Sequence, residues 1–462
     1  MSDLEHLGAA ELARRYRERA LSPVEVVRAL LERIGRLDPG LGAFVHVAAE
    51  RALDDARHSE AAIAAGRPRG PLEGVPVALK DLLDAADMPT AAGSRVIGRL
   101  PERDAGVVAK LRAAGAVLLG KVGMHELAFG ITGVNPHFPP CRNPWDRERV
   151  PGGSSSGSAV ALAAGLVPLA IGTDTGGSIR IPASACGVVG LKPTFGAVGR
   201  SGVVPLSWSL DHVGPMARSV EDAAILMTAI AGHDRDDAWS AERAHEPAGR
   251  SIGAGVRGLR LGRLDAAAVG ADDQVAAAFE ESLRVLARLG AETVAVAAPA
   301  LEPIYTANFT LTACEAASFH RRRLAERPAD FGDDVRRNLA VGLLLPAAGV
   351  IAARRAQGVA TAAWLRVLDD VDAILMPTLP RTAFRRDVRV SREPGEAWNR
   401  LVTPFNLSGL PALTLPCGFD RDGLPIGLQV AGRPFDEATV VRVAAAYEAA
   451  TEWGARRPPS QA

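Results

Sequence analysis

The 462-residue chain carries 53 basic and 53 acidic side chains, so its formal net charge is zero, and 48% of it is hydrophobic. That balance, with only 5% aromatic residues, speaks against a nucleic-acid binder, which shows a basic excess and stacking surfaces. Cys141, Cys186, Cys314 and Cys417 lie far apart with no C-x-x-C pair, which excludes a disulfide scaffold or zinc ribbon and suits a reducing cytoplasm.

Positions 1–21 are rich in Glu and Arg and contain no apolar run, so no signal peptide is expected. Ser22, Pro23 and Glu25 supply an N-cap, an N1 proline and a capping-box acid. Val26, Leu30, Ile34 and Leu37 follow at helical spacing, and residues 1–65 read as a helical segment packed on the remainder. From about residue 70, short apolar runs alternate with helices. Strands are expected at 75–79, 116–119, 259–264 and 293–296, and helices at 104–114 and 274–289. This alternation predicts an α/β fold, a sheet covered by helices on both faces, in a single domain over 66–462. The stretch 232–257, rich in Gly, Ala and charge, reads as a surface connection. Two uncharged stretches, 151–173 and 338–353, are broken by Gly165, Pro168 and Pro346. Neither reaches the roughly 20 predominantly apolar residues of a membrane helix, so a cytoplasmic protein without membrane contact is expected.

Only four of the 53 basic residues are lysine: Lys80, Lys110, Lys121 and Lys192, all between positions 80 and 192. An arginine-favouring genome explains the scarcity but not the clustering. A desolvated ammonium can lose its proton, whereas a guanidinium effectively cannot.

The densest motif is P-G-G-S-S-S-G-S at 151–158, followed by G-T-D-T-G-G-S-I-R at 172–180. A phosphate-binding P-loop needs G-x-x-x-x-G-K-[ST], and no lysine stands near either segment. Gly153-Ser154-Ser155-Ser156-Gly157 formally satisfies G-x-S-x-G. However, charged residues rather than an apolar strand precede it, and no histidine follows His320. A serine nucleophile served by a distant lysine fits best, because a hydroxyl needs a base and a Thr-Gly-Gly-Ser turn aims backbone N–H groups at one point. Lys80, directly after the apolar run 75–79, is the candidate base; a salt bridge to Asp81 or Asp84 is the alternative.

Taken together, the blocks resemble the amidase signature family. They are G-V-P-V-A-L-K-D (74–81), G-G-S-S-S-G-S-A (152–159), G-T-D-T-G-G-S-I-R-I-P-A (172–183), C-G-V-V-G-L-K-P-T (186–194) and S-L-D-H-V-G-P-M-A-R-S-V-E-D (209–222). Weaker ones recur at 376–378, 404–412 and 423–429. The resemblance covers roughly residues 65–450, with 235–370 the least constrained, substrate-shaping part. It implies a large central mixed sheet and a Ser–cis-Ser–Lys triad. Ser178 would be the nucleophile, Ser154, after a cis peptide from Gly153, the bridge, and Lys80 the base. It further implies an oxyanion hole of the N–H groups of Thr175, Gly176, Gly177 and Ser178, a loop braced by Asp174 and Arg180, and an acyl pocket at Phe129, Gly130 and Ile131.

Lys121 and Lys192 are expected to be structural, Lys110 an exposed helix residue, and Cys186 a small buried one. His125 and His137 lack metal-ligand spacing, so no metal and no cofactor are expected. The apolar run 343–346 reads equally as the lining of a substrate entrance or as plain core. Two functions follow. One is a free-standing serine amidase for small or aryl amides, and for esters or carbamates (urethanes), working as a monomer or homodimer with a small-molecule substrate and no nucleic acid. The other is the glutamine-hydrolysing A-subunit of a tRNA-dependent amidotransferase. Members of that kind usually carry M-D-E-F-A with S-S-T-E-N-S; this chain has M-H-E-L-A at 124–128 and G-I-T-G-V-N at 130–135.

Overall fold

In the computed structural model, which describes residues 4–387 and 397–459, Ser22 starts the helix Pro23–Leu37 as its sequence dictates. Its hydroxyl accepts from the Val24 N–H, the Glu25 side chain closes the capping box, and Val26, Val27, Leu30 and Ile34 form the buried stripe. The segment before residue 65 is not helical throughout. Phe44–Val47 is a strand, antiparallel to Val117–Val122, so the N-terminal segment supplies an edge of the sheet rather than only packing on it. Four residues with one buried side chain give too short an alternation to stand out in sequence.

Among the described residues the sheet has eleven strands: β1 (Phe44–Val47), β2 (Pro76–Lys80), β3 (Val117–Val122), β4 (Leu169–Asp174), β5 (Val189–Lys192), β6 (His212–Ala217), β7 (Arg260–Arg263), β8 (Glu292–Ala295), β9 (Ala373–Pro377), β10 (Ala412–Phe419) and β11 (Pro425–Ala431). Their order is β1-β3-β2-β4-β6-β5-β10-β11-β9-β7-β8. β3, β2 and β4 run parallel, as do β9, β7 and β8, and the strands between are antiparallel. The sheet is therefore mixed, with helices on its faces. β2, β3 and β4 are buried along their whole length, which is why they read as continuous apolar runs rather than alternating ones.

Because β2 and β4 are parallel neighbours, with Leu79 opposite Ile171, their carboxyl ends lie together. This brings Lys80 beside Thr173 and starts the glycine-rich 174–180 turn at the same edge, where open α/β sheets place ligands. The short helix Ser156–Ala163, wholly buried, leads from the serine cluster back along the sheet. A second apolar cluster around Leu311, Trp364 and Phe405 joins the long helices Leu301–Glu326 and Ala347–Asp370 to the β9 side.

The stretch 232–257 holds no helix or strand. Lys110 is not an exposed helix residue. Its ammonium is half-buried and donates to the carbonyls of Ile230 (3.3 Å), Ala231 (3.0 Å) and Gly232 (2.7 Å). There it meets the negative end of the helix Val220–Ile230. Among the described residues no single helix is long and apolar enough to cross a membrane. The helices Asp333–Leu344 and Ala347–Asp370 combine that length and apolar composition only as a pair, and they are bent by 98°.

Candidate active site

Lys80 ends β2 with no exposed surface. Its Nζ lies 2.7 Å from Ser154 Oγ, 2.9 Å from Ser155 Oγ and 2.8 Å from Thr173 Oγ1. The salt-bridge alternative is not what the fold adopts. Asp81 accepts from the Ala91 and Gly93 N–H groups, and Asp84 pairs with Arg99. Desolvation lowers the Lys80 pKa to about 7, against the opposing pull of Asp174 and Asp211. A neutral amine has two protons to donate and one lone pair, so one of its three hydroxyl neighbours must donate to it. Ser155 is committed elsewhere, since its hydroxyl donates to the Thr173 carbonyl at 3.1 Å. Ser154 and Thr173 remain as donors.

Ser154 follows a cis peptide bond from Gly153. Gly152 has φ +76°, and a side chain there would press on the Pro182 backbone at 2.8 Å, so the glycines before the serines are required by close approach. Ser178 is tied alongside through its carbonyl, which accepts from the Ser155 N–H at 3.1 Å. Its own hydroxyl has no hydrogen-bond partner among the described residues. The fold thus joins Lys80 to Ser154 directly and sets Ser178 next to the pair without a hydroxyl–hydroxyl bond, a looseness common in unliganded sites.

The turn carrying Ser178 is built around Asp174, whose oxygens accept from the N–H groups of Gly177 (2.7 Å) and Ile179 (3.1 Å). They also accept from the Arg180 guanidinium (3.0 Å) and the Asn406 amide (2.7 Å). Burial pushes the Asp174 carboxyl up, but the Arg180 guanidinium holds it well below the usual carboxylate range. Arg180 in turn donates to Gln429 Oε1 and Asn406 Oδ1, both at 2.7 Å. Among the four N–H groups expected to meet an oxyanion, that of Gly177 is the one already bonded to Asp174. The N–H groups of Thr175, Gly176 and Ser178 have no partner among the described residues. The Thr175 hydroxyl donates to Asp211 at 2.6 Å.

Ser178 opens onto a cavity of about 580 Å³, and Phe129, Gly130 and Ile131 all line it. They follow Leu127 and Ala128, two non-glycine residues at φ +51° and +60°, a conformation that persists only where the surroundings enforce it. A side chain at Gly130 would run into the His125 imidazole. His125 is a satisfied residue: its Nε2 lies 2.9 Å from Asp334 and its Nδ1 3.3 Å from the Thr132 hydroxyl. Burial pushes Asp334 up, but the His125 partner lowers it to about 2. His137 pairs with Glu126 at 3.1 Å.

The opposite wall comes from the helix Leu301–Glu326, through Tyr305, Asn308, Phe309 and Thr312. These residues escaped the sequence reading. The visible trace was the i,i+4 spacing of Tyr305 with Phe309 and of Asn308 with Thr312, in a helix with no clean apolar stripe. Leu343 and Leu344 are 48% and 83% exposed. The run 343–346 is absent from the lining of that cavity, and of its residues Leu345 packs, half-buried, against the main core.

Known proteins share this architecture and much of the sequence. The family profile described as Amidase matches residues 25–441. The chain belongs to the amidase signature family. The glutamyl-tRNA(Gln) amidotransferase A-subunit of Symbiobacterium thermophilum is 41% identical, over 98% of each chain. A solved inhibitor-bound structure, described as a vestigial protein complex bearing on the origins of an s-triazine catabolic enzyme, superposes with a TM-score of 0.91. It is 34% identical and covers 96% of this chain and 98% of that one. The native peptide amidase of Stenotrophomonas maltophilia gives a TM-score of 0.86 at 36% identity, over 98% of both.

As a member of that family the chain is an enzyme acting on C–N bonds. Its remaining lysines have structural surroundings: Lys121 donates to the Leu83 carbonyl and Thr90 hydroxyl, and Lys192 to the Pro193 carbonyl. Cys186 is fully buried and bonded to the Pro151 carbonyl, and burial pushes its thiol well above its ordinary value, so it is inert.

Proposed function

We propose that the chain hydrolyses small amides with an aryl or alkyl acyl group through an acyl-enzyme on Ser178. Neutral Lys80 takes the Ser154 proton and Ser154 takes that of Ser178 as its Oγ attacks the carbonyl carbon. The oxyanion meets the N–H groups of Thr175, Gly176 and Ser178. As the C–N bond breaks, the proton returns from Lys80 through Ser154 to the leaving nitrogen. Water, deprotonated by the same relay, then cleaves the Ser178 ester and releases the acid. Aryl esters and carbamates pass through the same kind of oxyanion and fall within this reading.

The observation that carries it is the wall of the cavity at Ser178. The Phe129 and Phe309 rings pack on each other with centroids 6.4 Å apart, and together with Ile131 and Tyr305 they offer an apolar wall to the acyl group. A second reading, the glutamine-hydrolysing component of a tRNA-dependent amidotransferase, is favoured by the 41% identity to the Symbiobacterium protein. By overall identity this reading leads; by the lining of the cavity and the departures at 124–135 the first does. In the second reading tRNA and further subunits would be partners.

The experiment uses the chain alone on benzamide, an anilide, an aryl carbamate and glutamine. Turnover of the first three with glutamine untouched supports the hydrolase. Glutamine turnover that appears only with the other amidotransferase components added replaces that reading with the second.

A further inference from the structure

A second cavity, of about 210 Å³, adjoins the first and shares Ala128, Thr175 and Leu206 with it. Its walls are Leu82, Val203, Val204, Leu206, Trp208 and Trp239, and Thr173 forms part of its inner end. Thr173 holds Lys80 Nζ at 2.8 Å, and Leu82 follows Lys80 by two residues. The small lobe therefore lies on the flank of the Lys80 relay, while the large cavity holds Ser178 and the phenylalanine pair.

We propose that the small lobe receives the leaving amine, and that the amine it fits is a neutral, single-ring aromatic one. This rests on the reading of Ser178 as an acyl-forming nucleophile. The leaving nitrogen must collect its proton from Ser154 and Lys80, so the amine side of the scissile bond faces the lobe that reaches Lys80 through Thr173. An apolar cavity of about 150 Å³ already holds a benzene ring, so 210 Å³ admits a substituted aniline. Ammonia, the product from a primary amide, needs no such lobe. The charged groups in its lining are engaged within the protein: Arg200 pairs with Asp237 at 3.1 Å, and Asp211 accepts from the Thr175 hydroxyl and from the Leu206 and Ser207 N–H groups. A cationic amine would find no free carboxylate there.

The test compares propionanilide with propionamide, which share one acyl-enzyme and differ only in the amine. Trp239, 53% exposed, is replaced in Trp239→Ala to remove one wall, and Val203→Trp fills the lobe. The ratio of kcat/KM for anilide over primary amide should fall about tenfold or more in both variants, the scale on which apolar pockets discriminate. Aniline should inhibit the wild-type enzyme as a product, and Trp239→Ala should weaken that inhibition. A ratio within about twofold of wild type in either variant overturns the proposal. So does slowed deacylation in Trp239→Ala, because propionyl-Ser178 no longer carries the amine. Wild-type protein that cleaves neither substrate overturns the hydrolase reading itself, and this proposal with it.

Discussion

The Ser155 hydroxyl donates to the Thr173 carbonyl at 3.1 Å and therefore meets Lys80 only as an acceptor. That one commitment orients the buried amine: one of its protons goes to Ser155, which leaves its lone pair for Ser154 or Thr173. Ser155→Ala should thus lower kcat while sparing the fold, by freeing Lys80 to rotate. The expected loss is about 10- to 100-fold, smaller than the roughly 10²–10⁴-fold attributable to a positioned general base. Thermal denaturation alongside kinetics checks that the loss is one of rate. Wild-type kcat in Ser155→Ala would dismiss this orienting role.

Removing the proposed nucleophile or the proposed base should cost far more. Ser178→Ala is expected to reduce hydrolysis by about 10⁴-fold or more. Lys80→Arg keeps the charge but cannot act as a base near neutral pH, so its loss should approach that of Lys80→Met. Burst kinetics with an aryl ester would show acyl-enzyme in the wild type and none in Ser178→Ala. A burst surviving there would place the nucleophile elsewhere.

The pH profile follows from Lys80. With its pKa lowered to about 7 by burial, the amine is neutral above that value and protonated below it. Activity should therefore rise with pH through a midpoint near 7 and be lost on the acid side. The Asp211 carboxylate favours the protonated amine, so Asp211→Asn should move the midpoint to lower pH. A midpoint that stays put or rises in Asp211→Asn would refute the assignment of this limb to Lys80, whatever happens to the maximal rate.

Asp174 and Arg180, both without exposed surface, form a buried ion pair at 3.0 Å. Breaking it from one side leaves an uncompensated charge, and Arg180→Leu should destabilise the protein by about 3–5 kcal/mol. Urea denaturation measures this directly. A loss below about 1 kcal/mol would mean that water or local rearrangement satisfies Asp174.

The apolar wall formed by Phe129 and Phe309 makes a prediction about acyl groups. Phe309→Ala should lower kcat/KM for benzamide by about 10- to 100-fold, with a much smaller effect on acetamide, which cannot reach the rings. Equal losses for the two amides would show that Phe309 supports the helix rather than the substrate.

Much of this site was legible because glycine and serine at fixed spacing have few other uses. The 152–159 and 172–183 blocks and the buried strand before Lys80 announce a backbone-built site with a desolvated lysine. What sequence could not give was partnership across distance. Asn406 and Gln429 sit in recognisable blocks, but only the sheet order brings them to Arg180. Lys110 sits on a helix that reads as surface, yet it reaches three carbonyls more than a hundred residues away. The diversion of the Gly177 N–H to Asp174 is a choice among equivalent donors that no residue pattern encodes.

The Arg180 guanidinium is gripped by residues 226 and 249 positions further along the chain. During synthesis on the ribosome, Ser178 and Lys80 emerge long before Asn406 and Gln429 do. The nascent chain therefore lacks this brace on the 174–180 turn until nearly the whole polypeptide has been translated, and premature termination before residue 406 yields a fragment carrying Lys80, Ser154 and Ser178 with that brace missing.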